Sequence, residues 1–270
     1  MPELPEVEIT RRGIEPFVLG KTITGIAVRN RNLRQRVPRD IARRIVGQRV
    51  KRLLRRGKYL LFECKAGTLI VHLGMSGSLR VIEPRMPPGK HDHLDLVFGT
   101  SALRLRDPRR FGVVLWSRGE FSRHPLLASL GVEPLSEEFS ADFLYRTTRG
   151  RRLGIKQLLM SASVVVGVGN IYANESLFRA GIDPRVRAGR LSRERCARLV
   201  AAVRDTLVAA IAAGGSSLRD FVHSDGASGY FQQQYYVYDR ATLPCRVCGT
   251  GIRVARIGQR STFYCPTCQR

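Results

Sequence analysis

Four cysteines late in the sequence carry the strongest chemical pattern. Cys245-Arg-Val-Cys248 is followed, after 16 residues, by Cys265-Pro-Thr-Cys268. Two Cys-x-x-Cys pairs at this separation match a tetrahedral four-thiolate zinc site, and in so short a stretch the metal replaces a hydrophobic core. Four protein ligands leave no open coordination position, so one structural zinc ion is expected. Between the pairs, Arg253, Arg256 and Arg260 decorate an expected hairpin, where basic side chains suit contact with phosphate. Cys64 and Cys196 lie on apolar patterns and read as core residues.

A second pattern is Val166-Gly-Val-Gly169-Asn170-Ile171, a glycine-rich turn opening directly into a helix. Amides freed by glycine and aimed by a helix N-terminus make an anion site, to which Asn170 adds a side-chain donor. No third glycine and no parallel-strand pattern surround it, which argues against a dinucleotide fold and for DNA phosphate. The third is the N-terminus. Once Met1 is removed, Pro2 becomes a secondary amine with a pKa near roughly 8, partly neutral and nucleophilic at physiological pH. Its attack on a sugar C1′ would give an iminium ion, an electron sink for elimination. Glu3 beside it is suited to proton transfer at the same carbon.

Elements must position these groups, and composition limits the choices. The chain has 270 residues, 43% hydrophobic and 25% charged, with a formal net charge of +24. The arginine-rich bias, with only six lysines, explains Arg over Lys but not the scarcity of acids. A surface this positive needs an anionic partner, nucleic acid before anionic membrane. The best apolar stretch, Leu199 to Ala213, is cut by Arg204 and Asp205 and is too short to span a bilayer. The acidic, proline-punctuated opening octet is unlike a secretory signal, so a reducing cytoplasmic compartment is expected, with thiols rather than disulfides.

Helical signals mark Pro5 to Phe17, with Pro5 in the first turn and Glu6 and Glu8 near the positive end of the dipole. Short β-branched or aromatic runs then predict strands at Thr22–Val28, Tyr59–Cys64, Thr68–His72, Leu94–Phe98 and Val113–Trp116, a sandwich or barrel. From Leu126 the pattern turns helical: Ile155, Leu158 and Leu159 share a face, and a second helix runs from Ile171 to Ala180. A third runs from Ser192 to Gly214 and is expected to bury Cys196, Leu199, Val200, Val203, Leu207 and Ile211. The fold class expected is α+β and multidomain: an N-terminal β-sandwich with a leading helix over residues 1–130, a helical domain over 131–235, and a zinc β-hairpin over 236–270.

Seven motifs in order resemble the formamidopyrimidine-DNA glycosylase family almost end to end. They are Met1-Pro-Glu-Leu-Pro-Glu-Val-Glu8, Arg56-Gly-Lys-Tyr-Leu-Leu61, His72-Leu-Gly-Met-Ser-Gly-Ser78, Lys90-His-Asp-His93, Asp107-Pro-Arg-Arg-Phe-Gly112, Gly167-Val-Gly-Asn-Ile-Tyr172 and the cysteine tail. The resemblance implies a bifunctional glycosylase and abasic-site lyase acting on oxidised purines, such as 8-oxoguanine and formamidopyrimidines, in duplex DNA. It implies that Pro2 displaces the base as a Schiff base, with Glu3 as general acid or base, Lys58 as proton donor for β-elimination and Arg260 serving δ-elimination or clamping phosphate. It further implies that Met75, Arg110 and Phe111 wedge the hole left by the extruded nucleotide. His91, Arg110, Arg151 and Asn170 match DNA contacts, and residues 216–230 match a lesion-capping loop. The implied fold adds a helix-two-turn-helix element around Asn170, with DNA in the cleft between domains, in a monomer of the bacterial cytosol.

Two departures stand out: Ser161-Ala162 where the family often has an acid followed by Gln or Asn, and arginine rather than lysine at 151. The alternatives are an endonuclease VIII-like glycosylase for oxidised pyrimidines, against which Leu4 and the wedge residues speak, and a zinc-dependent DNA-binding protein without catalysis, against which the N-terminus speaks.

Overall fold

The computed structural model describes residues 1–216 and 231–270, so the predicted lesion-capping loop beyond Ser216 lies outside the described residues. These residues form two compact units. The first holds Met1–Ala128 and residues 213–216; the second holds Ser129–Ala212 and Phe231–Arg270.

In the first unit, α1 (Leu4–Val18) opens the chain. Pro5 sits in its first turn, where an amide would lack an intrahelical partner anyway. The Glu3 N–H donates to Oε2 of Glu6 at 2.8 Å, half of the reciprocal cap that a glutamate at the third helical position can make. Then follow β1 (Gly25–Val28), a short α2 (Ile41–Ile45), β2 (Arg52–Arg56), β3 (Tyr59–Glu63), β4 (Thr68–His72), β5 (Ser78–Ile82), β6 (Asp92–Phe98), β7 (Ser101–Arg106), β8 (Val113–Ser117) and α3 (Pro125–Ala128).

Their strands make two four-stranded antiparallel sheets, ordered β1-β6-β7-β5 and β2-β3-β4-β8. Alternate residues of both, among them Leu60, Phe62 and Val71 from one and Leu94, Leu96 and Leu105 from the other, share one core with Val7, Ile14 and Val18 of α1. The sandwich expected from the sequence is present. Strands β2, β5 and β7 were not anticipated, because arginines interrupt their apolar runs. Arg104 of β7 is nevertheless buried, its Nε and Nη2 donating to the two carboxylate oxygens of Asp95 on β6 at 2.9 and 2.8 Å. A forked, fully hydrogen-bonded pair lets arginine stand where an aliphatic residue would be expected.

The second unit contains α4 (Ala141–Thr148), α5 (Ile155–Leu159), α6 (Asn170–Arg179), α7 (Arg193–Ala212), β9 (Arg253–Ile257) and β10 (Arg260–Tyr264). Ser140 caps α4, its Oγ accepting from the Phe143 N–H at 3.1 Å. Of the face expected on α7, Cys196, Leu199, Val200, Val203 and Leu207 are buried, while Ile211 is half-buried near the helix end. Strands β9 and β10 form the expected antiparallel hairpin. Its small core, Val237, Ile252 and Phe263 with Phe178 of α6, surrounds Cys245 and Cys265. Buried Glu175 of α6 accepts the N–H groups of Tyr236, Val237 and Tyr238 at 2.9, 3.0 and 2.9 Å, fastening the approach to the hairpin. Among the described residues no helix is long and apolar enough to cross a membrane.

Candidate active site

Pairing of β2, β3, β4 and β8 sets Arg56 opposite Tyr59, Tyr59 opposite His72, and His72 opposite Val113. One end of this sheet therefore carries the turn with Lys58, the loop with Met75 and the loop with Arg110 and Phe111. Pro2 and Glu3 are buried at the start of α1, and Lys58 is half-buried. The terminal amine, carried here by Met1, is pushed below its ordinary value chiefly by burial; Glu3 and Glu6 oppose this, while Lys58 and Arg109 reinforce it. All four side chains thus lie within electrostatic reach of the amine. A lowered pKa raises the neutral, nucleophilic fraction near pH 7.

Two residues of this environment were not singled out from sequence. Glu6 is fully buried; besides the Glu3 N–H, it accepts the Ser216 N–H on Oε1 at 2.9 Å. Gly215, with φ of +75°, lets the backbone approach, since a Cβ there would lie 3.3 Å from that oxygen. The signal for Glu6 was its place three residues after Glu3. The other is His72, whose ring stacks at a tilt 4.7 Å from Tyr59 and whose Nδ1 accepts the Gly74 N–H at 2.9 Å. Burial first, then the charges of Lys58 and Arg34, push its pKa down to about 4. A neutral ring accepting at Nδ1 carries its proton on Nε2.

Of the wedge candidates, Met75 is half-buried, Arg110 is exposed with left-handed backbone (φ 59°), and Phe111 is 46% exposed. A core role for Phe111 is thereby excluded. His91 is half-buried just before β6.

In the second unit, Asn170 begins α6 behind Gly167 and Gly169. Its Nδ2 donates to the Ser261 carbonyl at 3.0 Å, and its Oδ1 is buried without a hydrogen-bond partner. Lys156, fully buried on α5, donates to the same carbonyl at 3.0 Å and to Thr262 Oγ1 at 2.7 Å. Ser261 adjoins exposed Arg260, so the hairpin and Asn170 beside the glycine turn, 91 residues apart in sequence, meet at one carbonyl. At the Ser161-Ala162 departure, the Ser161 carbonyl accepts from the Val164 and Val165 N–H groups at 2.9 and 3.2 Å, closing a backbone turn ahead of the glycines. Arg151 is exposed between α4 and α5.

The Sγ atoms of Cys245, Cys248, Cys265 and Cys268 all lie within 4.8 Å of one another, with Cys245 and Cys268 3.9 Å apart and Cys248 and Cys265 3.5 Å apart. Zinc–sulfur bonds of about 2.3 Å in a tetrahedron require sulfur separations of about 3.8 Å, so the set fits one structural zinc.

Family models match along the chain: the formamidopyrimidine-DNA glycosylase N-terminal domain over residues 1–114, the H2TH domain of the same glycosylase over 130–222, and a zinc finger found in FPG and IleRS over 243–270. A formamidopyrimidine-DNA glycosylase of Aromatoleum aromaticum is 63% identical over the full length of both chains, and one of Thioalkalivibrio sulfidiphilus is 57% identical, also over both full lengths. The crystal structure of MutM (Fpg) from Thermus thermophilus superposes with a TM-score of 0.90 at 40% identity, covering 99% of this chain and 98% of the other. A Lactococcus lactis Fpg mutant in complex with DNA containing Fapy-dG gives 0.93 at 32% identity over all of both chains. On sequence, domain order and fold together, the chain belongs to the formamidopyrimidine-DNA glycosylase family.

Proposed function

We propose that this base-excision DNA glycosylase removes oxidised purines, 8-oxoguanine and formamidopyrimidines, from duplex DNA and then nicks the abasic site. The observation that carries the reading is the burial of Pro2 and Glu3 together at the start of α1, in surroundings where burial lowers the pKa of the preceding Met1 amine and Glu3, Glu6, Lys58 and Arg109 act on it. After removal of Met1, the Pro2 nitrogen attacks C1′, the C1′–N bond breaks, and the base departs with the bonding pair and takes up a proton. Glu3 handles the proton as the sugar opens to an iminium ion. Loss of a C2′ proton then expels the 3′-phosphate, and a second elimination expels the 5′-phosphate; water finally releases the sugar fragment from Pro2. Lys58 donates a proton during β-elimination, and Arg260 serves δ-elimination or holds phosphate.

His91, Arg110, Arg151 and Asn170 contact DNA, and Met75, Arg110 and Phe111 fill the gap left by the extruded nucleotide. The exposure of Phe111 and the left-handed backbone of Arg110 support that role. DNA complexes of the Lactococcus lactis relative, including one with an abasic site, support the same substrate class. The enzyme works as a cytoplasmic monomer, with residues 1–130, 131–235 and 236–270 as its functional divisions.

Borohydride reduction during reaction with 8-oxoguanine opposite cytosine tests the reading. A covalent protein–DNA adduct on Met-processed enzyme, lost when the N-terminal amine is acetylated, is expected. No adduct would leave a zinc-dependent DNA binder as the better description, and faster release of thymine glycol would favour a pyrimidine enzyme.

A further inference from the structure

The proposed DNA contacts of the first unit sit on three separate loops. His91 precedes β6, Met75 follows β4, and Arg110 and Phe111 lie between β7 and β8. None of these loops supplies its own regular structure. A wedge, however, must hold its side chains at fixed spacing to replace an extruded nucleotide.

Asp107 touches all three. It is fully buried, and its backbone N–H donates to the His91 carbonyl at 3.0 Å. Carboxylate Oδ1 accepts from Ser76 Oγ at 3.0 Å, one residue beyond Met75. Oδ2 accepts the Gly112 N–H at 2.7 Å, one residue beyond Phe111. Its own carbonyl accepts the Arg110 N–H at 3.2 Å and also meets Nε2 of buried His93 at 2.8 Å. Ser76 closes the circuit, its Oγ also accepting the Arg109 N–H at 3.2 Å.

The loops pack backbone to backbone here. A Cβ on Gly74 would come within 2.5 Å of the Phe111 carbonyl carbon and 2.6 Å of the Gly112 nitrogen, so the Met75 loop can rest on the Arg110–Phe111 loop only because residue 74 has no side chain. The closed pair Asp107 to Gly112 also holds Arg110 in the left-handed conformation, which arginine rarely adopts unaided.

We infer that Asp107, acting with Ser76, is a positioning residue: its buried carboxylate clamps the loop bearing Met75 to the loop bearing Arg110 and Phe111 as one rigid wedge, while its backbone N–H ties in the His91 loop. This rests on the reading of those residues as the wedge of a glycosylase. Asp107 touches no reacting atom in this scheme. Its removal should therefore impair steps that extrude a nucleotide from duplex and spare steps that do not.

Ser76→Ala, Asp107→Asn and Asp107→Ala test this. Each is compared with the unaltered chain on 8-oxoguanine opposite cytosine in duplex, and on an abasic site in a single-stranded oligonucleotide, where no partner base needs filling. Ser76→Ala removes both hydrogen bonds of that hydroxyl and should slow duplex excision by about tenfold or more. It should leave single-strand cleavage unchanged and lower the thermal transition by only a few degrees. Asp107→Asn keeps an acceptor for Gly112 and should lose less than Asp107→Ala. A fluorescent 2-aminopurine opposite the lesion should brighten less on mixing with Ser76→Ala than with the unaltered chain.

Duplex excision by Ser76→Ala at the unaltered rate would overturn the clamp. So would equal losses on duplex and single strand, which would mark a general defect. Should Asp107→Ala fail to fold, Ser76→Ala still decides. If the unaltered chain itself gave no borohydride adduct on either the duplex or the single strand, the glycosylase reading would fail instead.

Discussion

Pro2, Glu3 and Lys58 stand on a sandwich whose two sheets bury a continuous apolar core, whereas Arg260 stands on a two-stranded hairpin with few apolar side chains beneath it. The first region can bury carboxylates and a terminal amine because many aliphatic contacts offset their desolvation. The second is held by four thiolates and by Lys156 and Asn170 converging on the Ser261 carbonyl. The lesson is a division of means. Groups that must be shielded from water are set in a core, and groups that need only positive charge are set on a metal-stapled surface.

The comparison can be broken most sharply at Glu3. Glu3→Gln should lower single-turnover base release by about 10²- to 10⁴-fold, the range for a lost general acid–base, with little change in duplex affinity. An equal loss of affinity would mean that the two regions do not divide the work. Zinc chelation is the converse: duplex binding should weaken about 100-fold as the hairpin loses its phosphate contacts, while the thermal transition of the sandwich persists. Retained binding by metal-free protein would contradict the staple.

A smaller effect should appear in the acid stability of the sandwich alone. His72 has its pKa depressed from 6.5 to about 4 in the folded chain, so between those values the unfolded chain binds the proton more readily. Stability therefore falls as pH drops through that window, by at most about 3 kcal/mol. His72→Gln should flatten this part of the pH–stability curve measured by denaturant titration, and an unchanged slope would assign the loss to other groups. The smallest change belongs to the hairpin. Arg260→Ala should reduce the slope of log affinity against log salt by about 1 without altering preference among undamaged sequences.

The sequence alone determined the metal, because spacing between two Cys-x-x-Cys pairs is a local property that needs no tertiary partner to be read. It also determined α1, α6 and α7 within a residue or two, since apolar periodicity, prolines and terminal glycines act over a few residues. Strands β2, β5 and β7 escaped notice because arginine masks their alternation. Asp95 pairs with Arg104 across the β6–β7 hairpin, and strand periodicity alone does not register that rescue. The family motifs named Pro2, Glu3, Lys58 and the wedge as candidates, yet gave no hint that Asp107 and Ser76 bind the wedge loops together. Likewise Glu6 was visible only as an acid near the positive end of a helix dipole, whereas its bond to Ser216 joins residues 210 positions apart. Such links arise when a buried polar group must find its partners within the packed chain, and that choice belongs to tertiary structure.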